Sequence, residues 1–211
     1  MLKLFGERRQ LGVRGILTRK PAFAGRFYGE NSSELKQEIS SLVKSPHDKE
    51  KKKILGAICP HAAYMYSGHV AGELYSRINI PKRIIILSPN HTGYGGKISI
   101  FPDGHWETPL GEVKVDSELC SLIESKNKSV KRDVEAHLFE HSLEVQIPFL
   151  QYLKSDFQIV PITLMRLTYG ECENLGRAIS DSIKDSGKEV LIISSSDLNH
   201  YENQKTTEKK T

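Results

Sequence analysis

The stretch RIIILSPNH, residues 83–91, gives the strongest strand prediction in the chain. Its three isoleucines and one leucine form a continuous apolar run, which is typical of a strand buried on both faces of a sheet. Pro89 and Asn90 end this run, because both residue types favour turns. His91 therefore stands just past the end of a buried strand.

Two further apolar runs end in the same way. ILGAIC (54–59) is followed by His61, and VLIISSS (190–196) is followed by His200. In an open α/β sheet, the loops that leave the carboxyl ends of parallel strands converge on one crevice. The three imidazoles are therefore predicted to meet there, as a metal site or an acid/base site.

Helix signals separate these strands along the chain. Capped helix starts are predicted at Asn31, Asp116 and Thr168, each of which has a side chain suited to accept from a first-turn amide. Strand and helix thus alternate after residue 20. This alternation predicts an α/β fold with a mostly parallel or mixed central sheet and helices on both faces.

Two prolines bear on the remaining elements. Residues 142–154 are predicted to be helical, and Pro148 is expected to kink that helix or to stand at a helix start. Residues 157–164 are predicted to form a strand, which Pro161 would place at a sheet edge or a bulge. A hairpin turn is predicted over residues 108–111.

The composition is that of an ordinary globular protein. The chain has 211 residues, of which 38% are hydrophobic and 27% charged, and this length suffices to bury a core as one domain. No apolar run approaches the roughly 18 residues that a membrane helix needs. We expect a basic, flexible extension over residues 1–18, one α/β domain over residues 19–202, and a polar tail over residues 203–211 that is disordered.

The net charge of +4 is not spread over the chain. Residues 1–20 carry a net charge of +5, which leaves −1 for the rest. A near-neutral body argues against a nucleic-acid partner. The three cysteines contain no CxxC pair and are odd in number, which argues against a disulfide framework and predicts a reducing, cytoplasmic setting.

The segments around the histidines suggest individual roles. In CPHAAYMYSGH (59–69), proline and small residues allow a ligand to approach closely, so we interpret His61 as a metal ligand and His69 as a packing or supporting residue. In SSSDLNHY (194–201), Asp197 can fix the tautomer of His200 or ligate a metal itself. The structural alternatives are an exposed turn for His91 and a helix cap for Asp197.

A fourth segment matches a peptidase motif. His137-Leu138-Phe139-Glu140-His141 has the pattern H-x-x-E-H, in which two histidines bind zinc and the glutamate activates water. Here a helix is predicted to begin only at the second histidine, so the motif would straddle a loop and a helix. A zinc peptidase is therefore the less favoured alternative.

Together, these segments resemble the Memo family, the B component of the AmmeMemoRadiSam gene cluster. The matching segments follow the family's order and are RKPAFAGRFY (19–28), PHAAYMYSG (60–68), SPNH (88–91), WETPLG (106–111), EHSLEVQIPFL (140–150) and SSDLNHY (195–201).

The resemblance implies a fold similar to that of class III extradiol non-haem iron dioxygenases. It also implies a metal, iron or copper, bound by His61 and His91. His200 would lie near the metal in the place of the acid/base histidine, with Asp197 beside it and His141 lining the same pocket.

One departure concerns the third ligand. Family members usually continue beyond the S-S-D-x-x-H block with a segment that supplies a cysteine ligand, whereas this chain ends at Thr211. Three alternatives follow for this chain. It is a truncated product, a fragment, or a paralogue that completes its site with Asp197 or water. If the continuing segment adds to the sheet, we expect an exposed edge here that favours association.

The leading functional hypothesis is a metal-dependent oxidoreductase or a metal-binding redox protein. The runner-up is a non-catalytic module that binds a peptide or a small molecule, because animal members of the family are linked to receptor signalling. The oligomeric state stays open.

Overall fold

The computed structural model describes residues 17–43, 51–198 and 201–210. Within these residues it contains nine strands and eight helices. The strands are β1 (Thr18–Arg19), β2 (Gly56–Cys59), β3 (Arg83–Pro89), β4 (Ile98–Ile100), β5 (His105–Thr108), β6 (Gly111–Val115), β7 (Val130–Arg132), β8 (Gln158–Leu164) and β9 (Val190–Ser195). The helices are α1 (Ser32–Leu42), α2 (Tyr64–Arg77), α3 (Ser117–Lys126), α4 (Glu135–Leu138), α5 (His141–Glu144), α6 (Ile147–Leu153), α7 (Tyr169–Ser186) and α8 (Gln204–Lys210).

All nine strands belong to one mixed sheet. Its main order is β1-β5-β6-β8-β3-β9-β2, while β4 pairs with β8 and β7 with β4. The strands from β8 to β2 are parallel, whereas β5 with β6 and β4 with β8 are antiparallel. The predicted α/β fold with a mostly parallel or mixed sheet is thus confirmed, and so is the predicted hairpin turn, which joins β5 to β6.

Two crossovers place helices on opposite faces of this sheet. The connection β2-α2-β3 and the connection β8-α7-β9 run in opposite directions along the strand order. Because parallel crossovers are right-handed, α2 and α7 must cover opposite faces. Accordingly, α2 packs with α1 and α6, and α7 packs with α3.

The three predicted helix starts are confirmed. The Asn31 side chain accepts a hydrogen bond from Glu34 N, and the Asp116 side chain accepts from Leu119 N. Thr168 forms a capping box with Glu171 at the start of α7. These caps satisfy amides that the first turn of a helix leaves without partners.

Pro161 lies inside the sheet, so the prediction of an edge is wrong. One side of β8 pairs with β3 over its full length, while the other side pairs with β6 as far as Ile159 and with β4 from Ile162. Phe101 N donates to Pro161 O at 3.0 Å, so the proline nitrogen faces this second side. The residue without an N–H therefore lies between the part of β8 that pairs with β6 and the part that pairs with β4.

The predicted helix over residues 142–154 is two helices, α5 and α6. Pro148 is the second residue of α6 and so stands at a helix start, one of its two predicted places. A continuous helix would need an N–H at this position to donate to the carbonyl of Glu144, and proline has none. The break between α5 and α6 frees Gln146 to turn toward β9.

The ends of the chain differ in part from the prediction. Thr18, assigned to a flexible extension, is 6% exposed and pairs in β1, and residues 1–16 lie outside the described residues. The polar tail predicted to be disordered contains α8, and Asn203 caps this helix by accepting from Thr206 N. None of the helices in the described residues combines the length and the apolar character needed to span a bilayer.

Candidate metal centre

Two strand ends bring His61 and His91 together. β2 and β3 flank β9 in parallel, and each histidine lies two residues beyond the end of its strand. The ring centroids are 5.3 Å apart. This is the convergence that the strand-end pattern predicts.

The third ring in the cluster is that of His141, the first residue of α5. Its centroid lies 5.5 Å from the His61 ring and 4.7 Å from the His91 ring. One nitrogen from each of the three rings lies within 4.8 Å of the others. A metal ion bound by all three rings would lie about 2.0–2.1 Å from each of these nitrogens.

Glu140 sets the tautomer of His91. Its fully buried carboxylate accepts from His91 Nδ1 at 2.9 Å and from His91 N at 2.6 Å. Ser142 donates to it through N at 2.9 Å and Oγ at 2.7 Å. Burial raises the pKa of Glu140, but these hydrogen bonds outweigh it and hold the pKa below its usual value. An ionised carboxylate only accepts, so His91 carries its hydrogen on Nδ1 and leaves the Nε2 lone pair free.

Ser195 sets the tautomer of His61. The Ser195 hydroxyl donates its one hydrogen to Ser142 O at 2.6 Å. It therefore has none for His61 Nδ1, which lies 3.1 Å from its oxygen and must be the donor. The Nε2 lone pair of His61 is thus also free to bind a metal.

Gln146 holds this serine in place. Its amide nitrogen donates to Ser195 Oγ and to Pro60 O, each at 2.9 Å, and its oxygen accepts from Tyr75 at 2.8 Å. Sequence reasoning assigned the serines to Asp197 or His200 and missed Gln146. No local pattern marks a glutamine whose role depends on the break between two helices.

Asp197 lies against His61. Its Oδ1 accepts from His61 N at 2.9 Å, and its Oδ2 is 3.5 Å from His61 Nε2. The predicted partner of this carboxylate, His200, lies outside the described residues. Asp197 therefore faces the cluster from the end of β9, while the acid/base role of His200 stays a prediction.

Burial favours the neutral imidazole in His61 and His141. It lowers the pKa of His61 to about 4, against the opposing charge of Asp197, and the neighbouring histidines lower it further. Burial likewise lowers the pKa of His141 below its usual value, despite the nearby charge of Glu140. A neutral imidazole is the form that binds a metal.

An aromatic wall closes one side of the cluster. The rings of Phe23 and Phe27 lie 5.5 Å and 4.7 Å from the His141 ring. The buried carboxylate of Glu144 holds this segment by pairing with Arg19 and by accepting from Phe23 N. Arg19, whose charge was counted with those of residues 1–20, is thus buried.

The H-x-x-E-H segment does not assemble a peptidase site. His137 is fully buried, and its ring packs against Phe101 and Trp106 rather than in the cluster. Both oxygens of Glu140 are engaged by His91, so the carboxylate is not placed to activate water. The packing role predicted for His69 is also wrong, because this residue is exposed on α2.

Comparison with known proteins identifies the family. The family model of the Memo-like proteins matches residues 19–211. A MEMO1 family protein of Pyrobaculum aerophilum is 45% identical over 202 residues, which cover 91% of this chain and 72% of the relative. MEMO1 family proteins of Thermotoga neapolitana and Saccharolobus islandicus are 41% and 40% identical, over 92% of this chain and 74% of each relative. The chain therefore belongs to the Memo family.

Proposed function

We propose that this chain is a metal-dependent redox protein whose single metal ion is held by His61, His91 and His141. The convergence of three imidazoles at the carboxyl end of the sheet carries this proposal. His61 and His91 support it further, since both have a hydrogen-bonded Nδ1 and a free Nε2. Ligating histidines in proteins are usually oriented in this way.

Iron and copper are the metals we propose, because imidazole binds both and both change oxidation state. Bound with open coordination positions, such a metal supplies oxygen activation or electron transfer. The chain's own residues orient the ligands and shape the pocket. Phe23 and Phe27 keep water from one side of His141, and Asp197 Oδ2 is placed to accept a proton beside His61.

The proposal keeps His200 as the acid/base residue, in line with the family resemblance. A dioxygenase-like reaction would need a group that takes a proton from substrate near the metal. His200 would do this with Asp197 as its neighbour. A cytoplasmic location belongs to the same proposal and is supported by the three free cysteines, Cys59, Cys120 and Cys172.

Metal analysis of the purified protein tests the proposal. We expect about one iron or copper ion per chain, and a large loss of that metal in His61→Ala, His91→Ala and His141→Ala. His69→Ala is the matched control, because this histidine is exposed on α2 and should leave the metal content unchanged. Equal metal in all four variants would overturn the proposal.

A binding module without turnover is the second candidate. Phe27, whose ring contacts His141, also lines a surface cavity of about 620 Å³ together with Arg26, Glu34 and Met65. A small molecule or a peptide end would fit this volume. Calorimetry with catechols and short peptides, followed by product analysis under oxygen, separates the two functions. Binding without consumption of ligand or oxygen would favour the module.

A further inference from the structure

The two strand-end histidines have different hydrogen-bond partners. His91 Nδ1 donates to the carboxylate of Glu140, whereas His61 Nδ1 donates to the neutral hydroxyl of Ser195. The Glu140 side chain is fully buried, so little water screens its charge. An imidazole whose far nitrogen is bonded to a carboxylate becomes a more basic ligand.

We propose that Glu140 is a positioning residue that makes His91 the strongest of the three donors to the metal. The same carboxylate oxygen lies 3.4 Å from His141 Nδ1, so its charge faces two of the three rings. In the described part of the chain, the far nitrogen of His61 bonds to the neutral hydroxyl of Ser195, which Gln146 holds in turn. This inference rests on the proposed function, since it concerns how these side chains bind the same metal.

A fixed negative charge beside the centre has a consequence for the metal. It stabilises a more highly charged ion over a less charged one, because the attraction grows with the charge of the ion. Glu140 should therefore favour the oxidised state of a bound copper or iron ion over the reduced state. Removing the charge should shift the reduction potential to more positive values.

Glu140 also joins the loop after β3 to α5, through its bonds to His91 N and Ser142 N. A purely structural role would lower stability without moving the potential. Asp133 offers a matched control for that role, because it joins the same loop to α4 by accepting from Gly96 N and Ala136 N. In the described residues, Asp133 accepts from Gly96 N, Ser99 Oγ and Ala136 N, and none of these groups belongs to a histidine of the centre.

The test compares Glu140→Gln, Ser195→Ala and Asp133→Asn with the wild-type protein. Zn²⁺ affinity is measured by competition with a chromophoric chelator, and the potential is measured on copper-loaded protein. We expect Glu140→Gln to lose about 10- to 100-fold in affinity and to show a more positive potential. Ser195→Ala should lose less, and Asp133→Asn should match the wild type in both readouts.

Two results would overturn the role of Glu140. One is wild-type affinity and potential in Glu140→Gln, and the other is a loss in Ser195→Ala as large as that in Glu140→Gln. If His61→Ala and the wild type bind Zn²⁺ equally, the proposed function itself fails. If the histidines are needed but Glu140→Gln changes neither readout, only the role of Glu140 fails.

A second measurement needs no variant at Glu140. In Zn²⁺-loaded wild-type protein, NMR resolves the Nδ1–H protons of the coordinated histidines. The His91 proton should lie further downfield than the His61 proton, because its acceptor is charged. Equal positions for the two protons would overturn the proposal even if Glu140→Gln does not fold.

Discussion

Glu144, in α5, binds the segment of residues 19–28 through an ion pair and hydrogen bonds. Its fully buried carboxylate pairs with Arg19 and accepts from Ala22 N, Phe23 N and the Tyr28 hydroxyl. Removal of one partner of such a pair leaves an uncompensated buried charge. A charge count along the sequence groups Arg19 with the other charges of residues 1–20, because counting cannot distinguish a buried charge from a solvated one.

Arg19→Met should lower the free energy of unfolding by about 3–5 kcal/mol, because it leaves Glu144 buried without its cation. Lys20→Met is the control, since Lys20 pairs with Glu107 on the surface and should lose less than about 1 kcal/mol. Urea denaturation measures both values. Equal losses in the two variants would contradict the assigned role of the buried pair.

His137 makes stability depend on pH. Burial, helped by the positive charge of Arg19, lowers the pKa of His137 to about 3. In the unfolded chain the pKa is about 6.5, so between these values the unfolded state binds the additional proton. The contribution of His137 is therefore complete above about pH 6.5 and is lost as the pH falls toward about 3.

His137→Phe removes this group while keeping a ring against Phe101 and Trp106. Below about pH 6.5, the wild type should lose stability faster than the variant, by up to about 1.4 kcal/mol per pH unit. Urea denaturation at a series of pH values measures the difference. Parallel pH profiles for the two proteins would show that His137 does not titrate as described.

The part of the site that the sequence predicts lies at the ends of strands. His61 and His91 follow apolar runs directly, and parallel strands must deliver such residues to one edge of the sheet. His141 does not follow a strand. Its position depends on a four-residue helix held by Glu140 and interrupted before Pro148, and short-range patterns do not determine that arrangement.

The close approach of the α1 backbone to α2 depends on Gly72. A Cβ atom at Gly72 would lie 2.3 Å from Leu42 O, where α1 ends against α2. At Gly176, on the exposed side of α7, a Cβ would have no atom within 4 Å. Helix propensity alone therefore predicts that alanine stabilises the protein at both positions. Packing predicts stabilisation at Gly176 and destabilisation at Gly72.

Gly176→Ala should raise the free energy of unfolding by about 0.5–1 kcal/mol, since alanine favours the helix. Gly72→Ala should instead lower it, because the backbone of Leu42 must move to admit the methyl group. Chemical denaturation of both variants gives the comparison. Stabilisation of the same size at Gly72 would refute the close approach of the two helices.

In the described residues, the sheet has an open edge at β2. β2 pairs with β9 on one side only, and Leu55 and Ile58 are 85% and 55% exposed. The sequence predicts β2 as a buried strand from its apolar run. Apolar composition identifies a strand, but its place in the strand order depends on the full topology.

An exposed apolar edge strand should promote association of two chains. We expect the wild type to associate as its concentration rises, and Ile58→Lys to reduce this association because a lysine on an edge opposes pairing. Tyr169→Lys is the control, since Tyr169 is 85% exposed at the start of α7. Sedimentation velocity would contradict the expectation if the wild type stayed monomeric or if both variants behaved alike.

The central claim is that two strand-end loops and α5 build one metal centre. Anomalous diffraction from crystals of the iron- or copper-loaded protein, recorded at the absorption edge of the metal, tests it most directly. We expect one strong anomalous peak within bonding distance of His61, His91 and His141. A peak bound elsewhere, with the three imidazoles free of metal, would contradict it.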